Sequence, residues 1–350
     1  MSALWLIAGA ALLAVPALAQ QAPTLHQLAD QLEYAMIAGD YRPLPRTDTF
    51  RYTENGTALK PWDGMWHTLS ASAGTDPRVY PRARALDYRV EIADGGELVR
   101  LVETDENTVQ GVMLLRVKAQ ASKLSRVDVL PVREEFSGAR GGTVTLLQPG
   151  VPATMDGARV AAADPLFGAR VARPASRAAL VAAADGYLDG LLANRSAGAH
   201  LAPDCRRLDN GQPVTGVAKA PLLDPARPLF RPFALGCAAQ LDSGYYSNIR
   251  AVRERHYWAD PARGVVLVQA QMDVPGTVLG FTAPGFGAIA YPGPRGPVAS
   301  NGQAFPDRIT DNMISPLTMS SAFLFKIDGG QIRRIDAFYR GAPYGWQLGW

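Results

Sequence analysis

The sequence predicts an α+β protein in which one unit, an amphipathic helix followed by a curved antiparallel sheet, is written twice. Three observations carry this. Arg51-Tyr52-Thr53-Glu54-Asn55-Gly56 and Arg206-Arg207-Leu208-Asp209-Asn210-Gly211 share an arginine, two residues, an acid and Asn-Gly. A helical pattern precedes each stretch and a run of strand patterns follows it. At 350 residues and 47% hydrophobic content, the chain can bury two cores rather than one.

The first nineteen positions read differently from the rest. Residues 4–15 are an apolar run, and Pro16 with Ala17-Leu18-Ala19 makes an A-x-A cleavage pattern before Gln20. The run is short for a membrane span, so residues 1–19 read as a signal peptide and the protein as secreted or periplasmic. No other stretch is long and apolar enough to cross a bilayer, so no membrane contact is expected beyond that segment. Charged content of 19% argues against disorder. A net charge of +3 with scattered arginines gives no basic patch, so nucleic acid is not an expected partner.

The first unit spans 20–136. Thr24-Leu25-His26-Gln27 is a capping box, and Leu25, Leu28, Leu32 and Met36 recur at helical spacing until Gly39-Asp40. A proline-rich passage follows, then Pro61-Trp62-Asp63-Gly64-Met65-Trp66-His67. Strand patterns come at 86–92, 98–103, 109–118 and 124–132, the first two joined through Asp94-Gly95-Gly96. Residues 137–173, rich in Gly, Ala and Pro, read as a linker, with an ordered wrap the alternative.

The second unit spans 174–350. Ser176 caps a helix carrying Leu180, Ala184, Tyr187, Leu188, Leu191 and Leu192. Strand patterns follow at 249–258, 264–274, 322–327 and 331–339. On the second of these, Gln269, Gln271 and Asp273 share one face, which must meet water, a polar cavity or the other unit. Residues 275–321 form a Gly- and Pro-dense insertion, either a lid or a surface wrap. Cys205 and Cys237 are the only cysteines. In an oxidising compartment they read as a disulfide closing a loop of roughly thirty residues, stabilising by roughly 3–4 kcal/mol.

Such a helix and curved sheet are what a cone-shaped, cavity-bearing barrel needs. Cys205-Arg206 with Asp209-Asn210-Gly211, Cys237, Phe325-Lys326-Ile327 with Gly330 and Ile332, and Pro343-Tyr344-Gly345-Trp346 with Gly349-Trp350 together carry a resemblance. In these the chain resembles a secreted fungal and bacterial family of uncharacterised function, built of duplicated SnoaL-like, nuclear-transport-factor-2-like domains. Glu54-Asn55-Gly56 and Trp66 fit the same pattern in the first copy. The chain departs from it with Asp209 where glutamate is more usual and with Phe323-Leu324 where an acid is more usual. The resemblance implies two tandem cones packed as an internal pseudo-dimer, with a pocket used elsewhere by isomerases, dehydratases, epoxide hydrolases, cyclases and plain binders. Fold alone does not choose among these.

The sequence lacks G-x-S-x-G, H-E-x-x-H and P-loop motifs, and its four histidines are dispersed, so neither a metal nor another cofactor is expected. Acid–base chemistry in a pocket remains. His67 and Asp63, four apart beside Trp62 and Trp66, would face one way on a helix; the plainer alternative is a pair of indoles plugging the barrel mouth. His256 beside Tyr257, on a strand pattern, is the second candidate, with a satisfied strand histidine as its alternative. Tyr245 and Tyr246 could donate to a substrate oxygen or pack in the core. The two acid-Asn-Gly stretches read as turns rather than chemistry, since Asn-Gly tolerates positive φ. The function expected is an exported, cofactor-independent lyase, isomerase or dehydratase acting on a small apolar molecule. A secreted binder that leaves its ligand unchanged is the competing reading.

Overall fold

The computed structural model describes residues 22–61, 63–72, 88–106, 109–133, 166–217, 228–291 and 315–349. The expected signal peptide and most of the expected linker lie outside them.

In the first half, helix α1 (Leu25–Ala38) is followed by β1 (Arg46–Glu54), β2 (Thr57–Leu59), helix α2 (Met65–Ser72) and β3 (Tyr88–Asp94). Strands β4 (Glu97–Glu106), β5 (Val109–Gln120) and β6 (Lys123–Arg133) complete it. The second half runs through α3 (Arg177–Ala193), β7 (Leu201–Asp209), β8 (Gln212–Pro213), a 3₁₀ turn (Pro228–Ala234) and α4 (Cys237–Asp242). It continues with β9 (Ala251–Asp260), β10 (Val265–Val274), the small hairpin β11 (Gly280–Ala283) and β12 (Gly287–Ala290), then β13 (Leu317–Asp328) and β14 (Gln331–Ala342).

Two six-stranded sheets result, ordered β2-β1-β6-β5-β4-β3 and β8-β7-β14-β13-β10-β9. They match strand for strand. In each, the first long strand pairs in parallel with the last, and every other pairing is antiparallel. Turns match too: Asn55 and Gly56 (φ 51° and 78°) correspond to Asn210 and Gly211 (φ 44° and 85°). Two consecutive left-handed residues make the tight hairpin turn whose twist suits the flanking strands.

Both expected helix starts are realised. The Thr24 hydroxyl accepts from the Gln27 N–H while the Gln27 side chain accepts from the Thr24 N–H. Ser176 caps α3 through the Ala179 N–H. The apolar face of each helix covers one face of its own sheet, giving one core around Leu28, Leu32 and Trp66 and another around Tyr187, Phe323 and Phe325.

The opposite faces of the two sheets meet each other. Leu101, Leu114 and Leu130 of the first pack on Leu267, Leu324 and Phe338 of the second. Phe167, at the end of the expected linker, is buried in the same seam, so that end is an ordered wrap. Polar contacts cross there as well: Arg177 pairs with Asp94 at 2.7 Å, and the Trp258 indole donates to Glu97 at 3.0 Å. Gln269 and Gln271, fully buried, extend the seam on the polar face of β10. The second contact is a tail. An added Cβ at Gly56 would sit 2.6 Å from the Leu348 carbonyl, so the segment after β14 lies directly on the first hairpin turn.

The structure adds two strands, β1 and β7, that the sequence reading did not assign. The proline-rich passage through Pro43 and Pro45 ends just before β1, and the register shift between Arg334 and Ile332 accommodates Pro203 in β7. The insertion at 275–321 is also shorter than expected: it contains a hairpin, and β13 starts at Leu317. No helix among the described residues is long and apolar enough to cross a membrane.

Candidate functional site

Arg207 and Asp209 stand two apart on β7, so both side chains project to the same face, towards α3. Both are buried. The Arg207 guanidinium donates through Nε to Asp209 Oδ1 at 2.6 Å and through Nη2 to Oδ2 at 3.2 Å. Its Nη1 donates to the hydroxyl oxygens of Tyr187 (2.7 Å) and Tyr246 (2.6 Å). The Tyr339 hydroxyl donates to Asp209 Oδ2 at 2.9 Å. One buried ion pair is thus ringed by three phenols.

Local structure explains each placement. Asn210 turns the hairpin and clamps the Tyr339 backbone, accepting its N–H at 2.9 Å and donating to its carbonyl at 3.1 Å. That clamp holds the Tyr339 ring over Asp209. Tyr246 donates in turn to Gln240 of α4 at 2.7 Å. The Cys205–Cys237 disulfide, with Cα atoms 5.8 Å apart, ties α4 to β7. Arg207, Asp209, Tyr245, Tyr246 and Tyr339 line a cavity of about 30 Å³ together with Met272 and Met319. That holds a water molecule and is too small for a metabolite.

The electrostatics fix the donors. Burial works against the Arg207 charge, but Asp209 and the surrounding phenols outweigh it and hold the guanidinium protonated. Burial raises the Tyr187, Tyr245, Tyr246 and Tyr339 hydroxyls above the ordinary tyrosine value, so they remain neutral donors. Asp209 is the acceptor they surround. The Tyr245 hydroxyl makes no hydrogen bond among the described residues, and Tyr245 lines the cavity.

The first half lacks this arrangement at the matching positions. Tyr52 stands where the second half has Arg207, and Glu54 where it has Asp209. Pro131 occupies the register position of Tyr339, as the Glu54–Val129 and Asp209–Ala337 pairings fix. Proline has no N–H to give, and the Asn55 Oδ1 is left without a partner, whereas Asn210 Oδ1 has one. Glu54 accepts from the Met65 N–H at 2.8 Å and from the Tyr52 hydroxyl at 3.3 Å. Trp66, 1% exposed, packs edge-on against Tyr52 and fills the space.

The residues singled out in the sequence fall in three places. Asp63 and His67 are both exposed, with His67 in the first turn of α2 and Asp63 before it. Trp62 lies outside the described residues, and Trp66 is core. His256 and Tyr257 point to opposite faces of β9: His256 enters the inter-sheet seam and stacks near Trp258, while Tyr257 donates to Asp185 of α3. Only Tyr245 and Tyr246 reach the cavity. Arg207, Asp209 and Tyr339 were missed. Their signal was present in Arg207-Leu208-Asp209, whose alternation puts two charges on an inward face, but the Asn-Gly that follows drew the acid into a turn.

Residues 173–339, a little under half of the chain, match the profile of a domain of unknown function (DUF8021). No curated protein matches the sequence. Among solved structures, a candidate polyketide cyclase from Xanthomonas campestris pv. campestris aligns at 14% identity and a TM-score of 0.27, covering 47% of this chain and 91% of its own. A candidate polyketide cyclase from Silicibacter sp. TM1040 aligns at 13% identity and 0.25, covering 46% and 88%. Scores this low leave the fold to be described from the chain itself.

Proposed function

We propose that this is an exported, cofactor-independent acid–base enzyme of the isomerase, lyase or dehydratase type, with its site in the second half. In this reading the two halves descend by duplication from one nuclear-transport-factor-2-like domain and pack as an internal pseudo-dimer. The first has become a structural partner. The single observation that carries the reading is a buried ion pair, Arg207–Asp209, on the wall of a small cavity where a phenol stands without a partner among the described residues. A buried pair is weak as a source of stability, because desolvating two charges offsets most of their attraction. Its retention at a cavity therefore argues for chemistry.

Asp209 is the proposed catalytic residue. It takes a proton from a carbon next to a substrate carbonyl: the C–H bond breaks, an O–H bond forms on the carboxyl, and the electron pair moves to the carbonyl oxygen. The Tyr245 hydroxyl donates to that oxygen, and the Arg207 charge stabilises the anion. Return of the proton to another carbon completes an isomerisation; loss of a leaving group completes an elimination. His67, Asp63 and His256 have no part in it.

The test is product analysis by mass spectrometry after incubation with a panel of small apolar carbonyl compounds. Turnover by the wild type, absent from an Arg207→Met/Asp209→Leu variant that still unfolds cooperatively, supports the proposal. Turnover that survives in that variant overturns it. The second reading, a binder that holds an apolar ligand unchanged, is favoured by the cavity of only about 30 Å³. Recovery of bound, unaltered compound from the wild type would establish it.

A further inference from the structure

We infer that the cavity beside Asp209 and a neighbouring surface pocket are two chambers of one binding site, parted by Asn248 and Ile249. Together they take a small molecule with a carbonyl or hydroxyl at one end and a carboxylate at the other. This rests on the assignment of the chemistry to Asp209 and answers the question that assignment leaves, namely where a substrate fits.

The outer pocket has a volume of about 330 Å³, and Leu192, Ser247, Arg250 and Thr277 form part of its wall. Asn248 and Ile249 line it and also line the inner cavity, so one pair of side chains separates the two. The outer volume falls in the range of small-molecule pockets, and the inner one adds the reactive end.

Asn248 is 4% exposed, and its amide makes no hydrogen bond among the described residues. The Asn248 amide and the Tyr245 hydroxyl both have access to the space they line, so each can pair there with a water molecule or a guest. Two unpaired groups, a donor–acceptor amide and a phenol, therefore converge on the space next to Asp209. They would hold a carbonyl or hydroxyl oxygen on the carbon next to the one whose proton Asp209 takes. Met272 and Met319 complete the inner wall, and their unbranched side chains adapt to a guest.

The outer end has a different character. Arg250 is exposed and forms no ion pair among the described residues, while the nearest acid on the adjoining strand, Asp273, is engaged by Arg253 at 2.7 Å. An uncommitted guanidinium in a pocket wall fits a carboxylate. The dividing segment and the loop facing it each contain a glycine at positive φ. Gly244 (φ 79°) opens the segment and Gly276 (φ 74°) lies in the facing loop, and both adopt a conformation open to glycine.

The experiment is calorimetric titration of the full chain with 4-acetylbenzoate, which has a ketone and a carboxylate at opposite ends, and with its neutral methyl ester. Ile249→Ala is expected to bind 4-acetylbenzoate about tenfold more tightly than wild type, with Ile249→Val in between, because the barrier between chambers shrinks. Arg250→Gln is expected to weaken the carboxylate about tenfold and leave the ester unchanged. Asn248→Leu should weaken both. Equal affinity of wild type and Ile249→Ala, or an Arg250→Gln effect that is the same for acid and ester, overturns the inference, as does no binding by any form. Because binding is read without turnover, an Asp209→Asn variant that binds normally but still turns over would instead sink the acid–base proposal and leave the two chambers standing.

Discussion

At the residue scale, the Arg207–Asp209 pair separates what stabilises from what reacts. Asp209→Asn alone leaves a buried guanidinium without its counter-charge and is expected to destabilise by about 3–5 kcal/mol. Replacing both partners with apolar residues of similar volume, Arg207→Met/Asp209→Leu, leaves no unpaired charge but strands the Tyr187 and Tyr339 hydroxyls, so it is expected to cost about 1–3 kcal/mol, less than the single variant. Urea unfolding of the two variants measures the contrast; a double variant as unstable as the single one would make the pair structural. The sequence hid this pair for a physical reason. Asp209 ends a strand and begins a turn, and the turn reading was right as far as it went: Asn210 and Gly211 do take positive φ. Which way the preceding carboxylate points depends on β7 itself, and Pro203 concealed that strand. Histidines drew attention because imidazole titrates near neutral pH, yet two of the residues chosen with them, Asp63 and His67, are solvated.

At the scale of elements, the local signals that were legible are those made by contiguous residues. Capping boxes, helical apolar stripes and glycine turns all fell where the sequence put them. The strands that escaped, β1 and β7, make their long pairing with a parallel partner distant in sequence, and the hairpin each forms through Asn-Gly leads only to a strand of three residues or two. The disulfide was legible from composition and compartment, but its use was not. By fixing α4 against β7 it holds Gln240, and through it Tyr246, against Arg207. Cys205→Ser/Cys237→Ser is expected to lose about 2–4 kcal/mol of stability. It should also loosen the Tyr246 contact, seen as faster hydrogen exchange across 237–246 than elsewhere in the second half. Uniformly faster exchange over the whole chain would mean that the bridge acts only on the unfolded state.

At the scale of the whole molecule, twinned sheets share a seam that is acid-sensitive. Burial pushes the Glu97 carboxyl up, but its bonds to Arg116, Lys118 and Trp258 outweigh this and hold it down to about 2 against an ordinary 4.5. A lowered carboxyl contributes stability that is full above pH 4.5 and lost as pH falls towards 2. His256 is lowered first by burial and then by Arg116, with Lys118 acting the same way and Glu97 and Glu254 opposing. Its neutral form is the one the seam holds, so its contribution is full above pH 6.5 and lost as pH drops below that value. Stability is therefore expected to fall in both windows. Glu97→Gln should flatten the lower one and His256→Phe the upper, read from urea midpoints at pH 7.5, 5.5 and 3. Midpoints that do not move with pH would remove Glu97 and His256 from the account of the seam.

The central claim is that two halves of one plan divide the labour, with proton chemistry confined to the second. Deuterium uptake reports it directly. Wild-type protein incubated with 4-acetylbenzoate in D₂O, followed by proton NMR, is expected to lose the acetyl methyl signal well above the buffer rate. Arg207→Met/Asp209→Leu should abolish the exchange, while Glu54→Gln, at the matching position of the first half, should leave it intact. Wild-type exchange no faster than buffer, exchange that persists in the double variant, or exchange abolished by Glu54→Gln would contradict the claim.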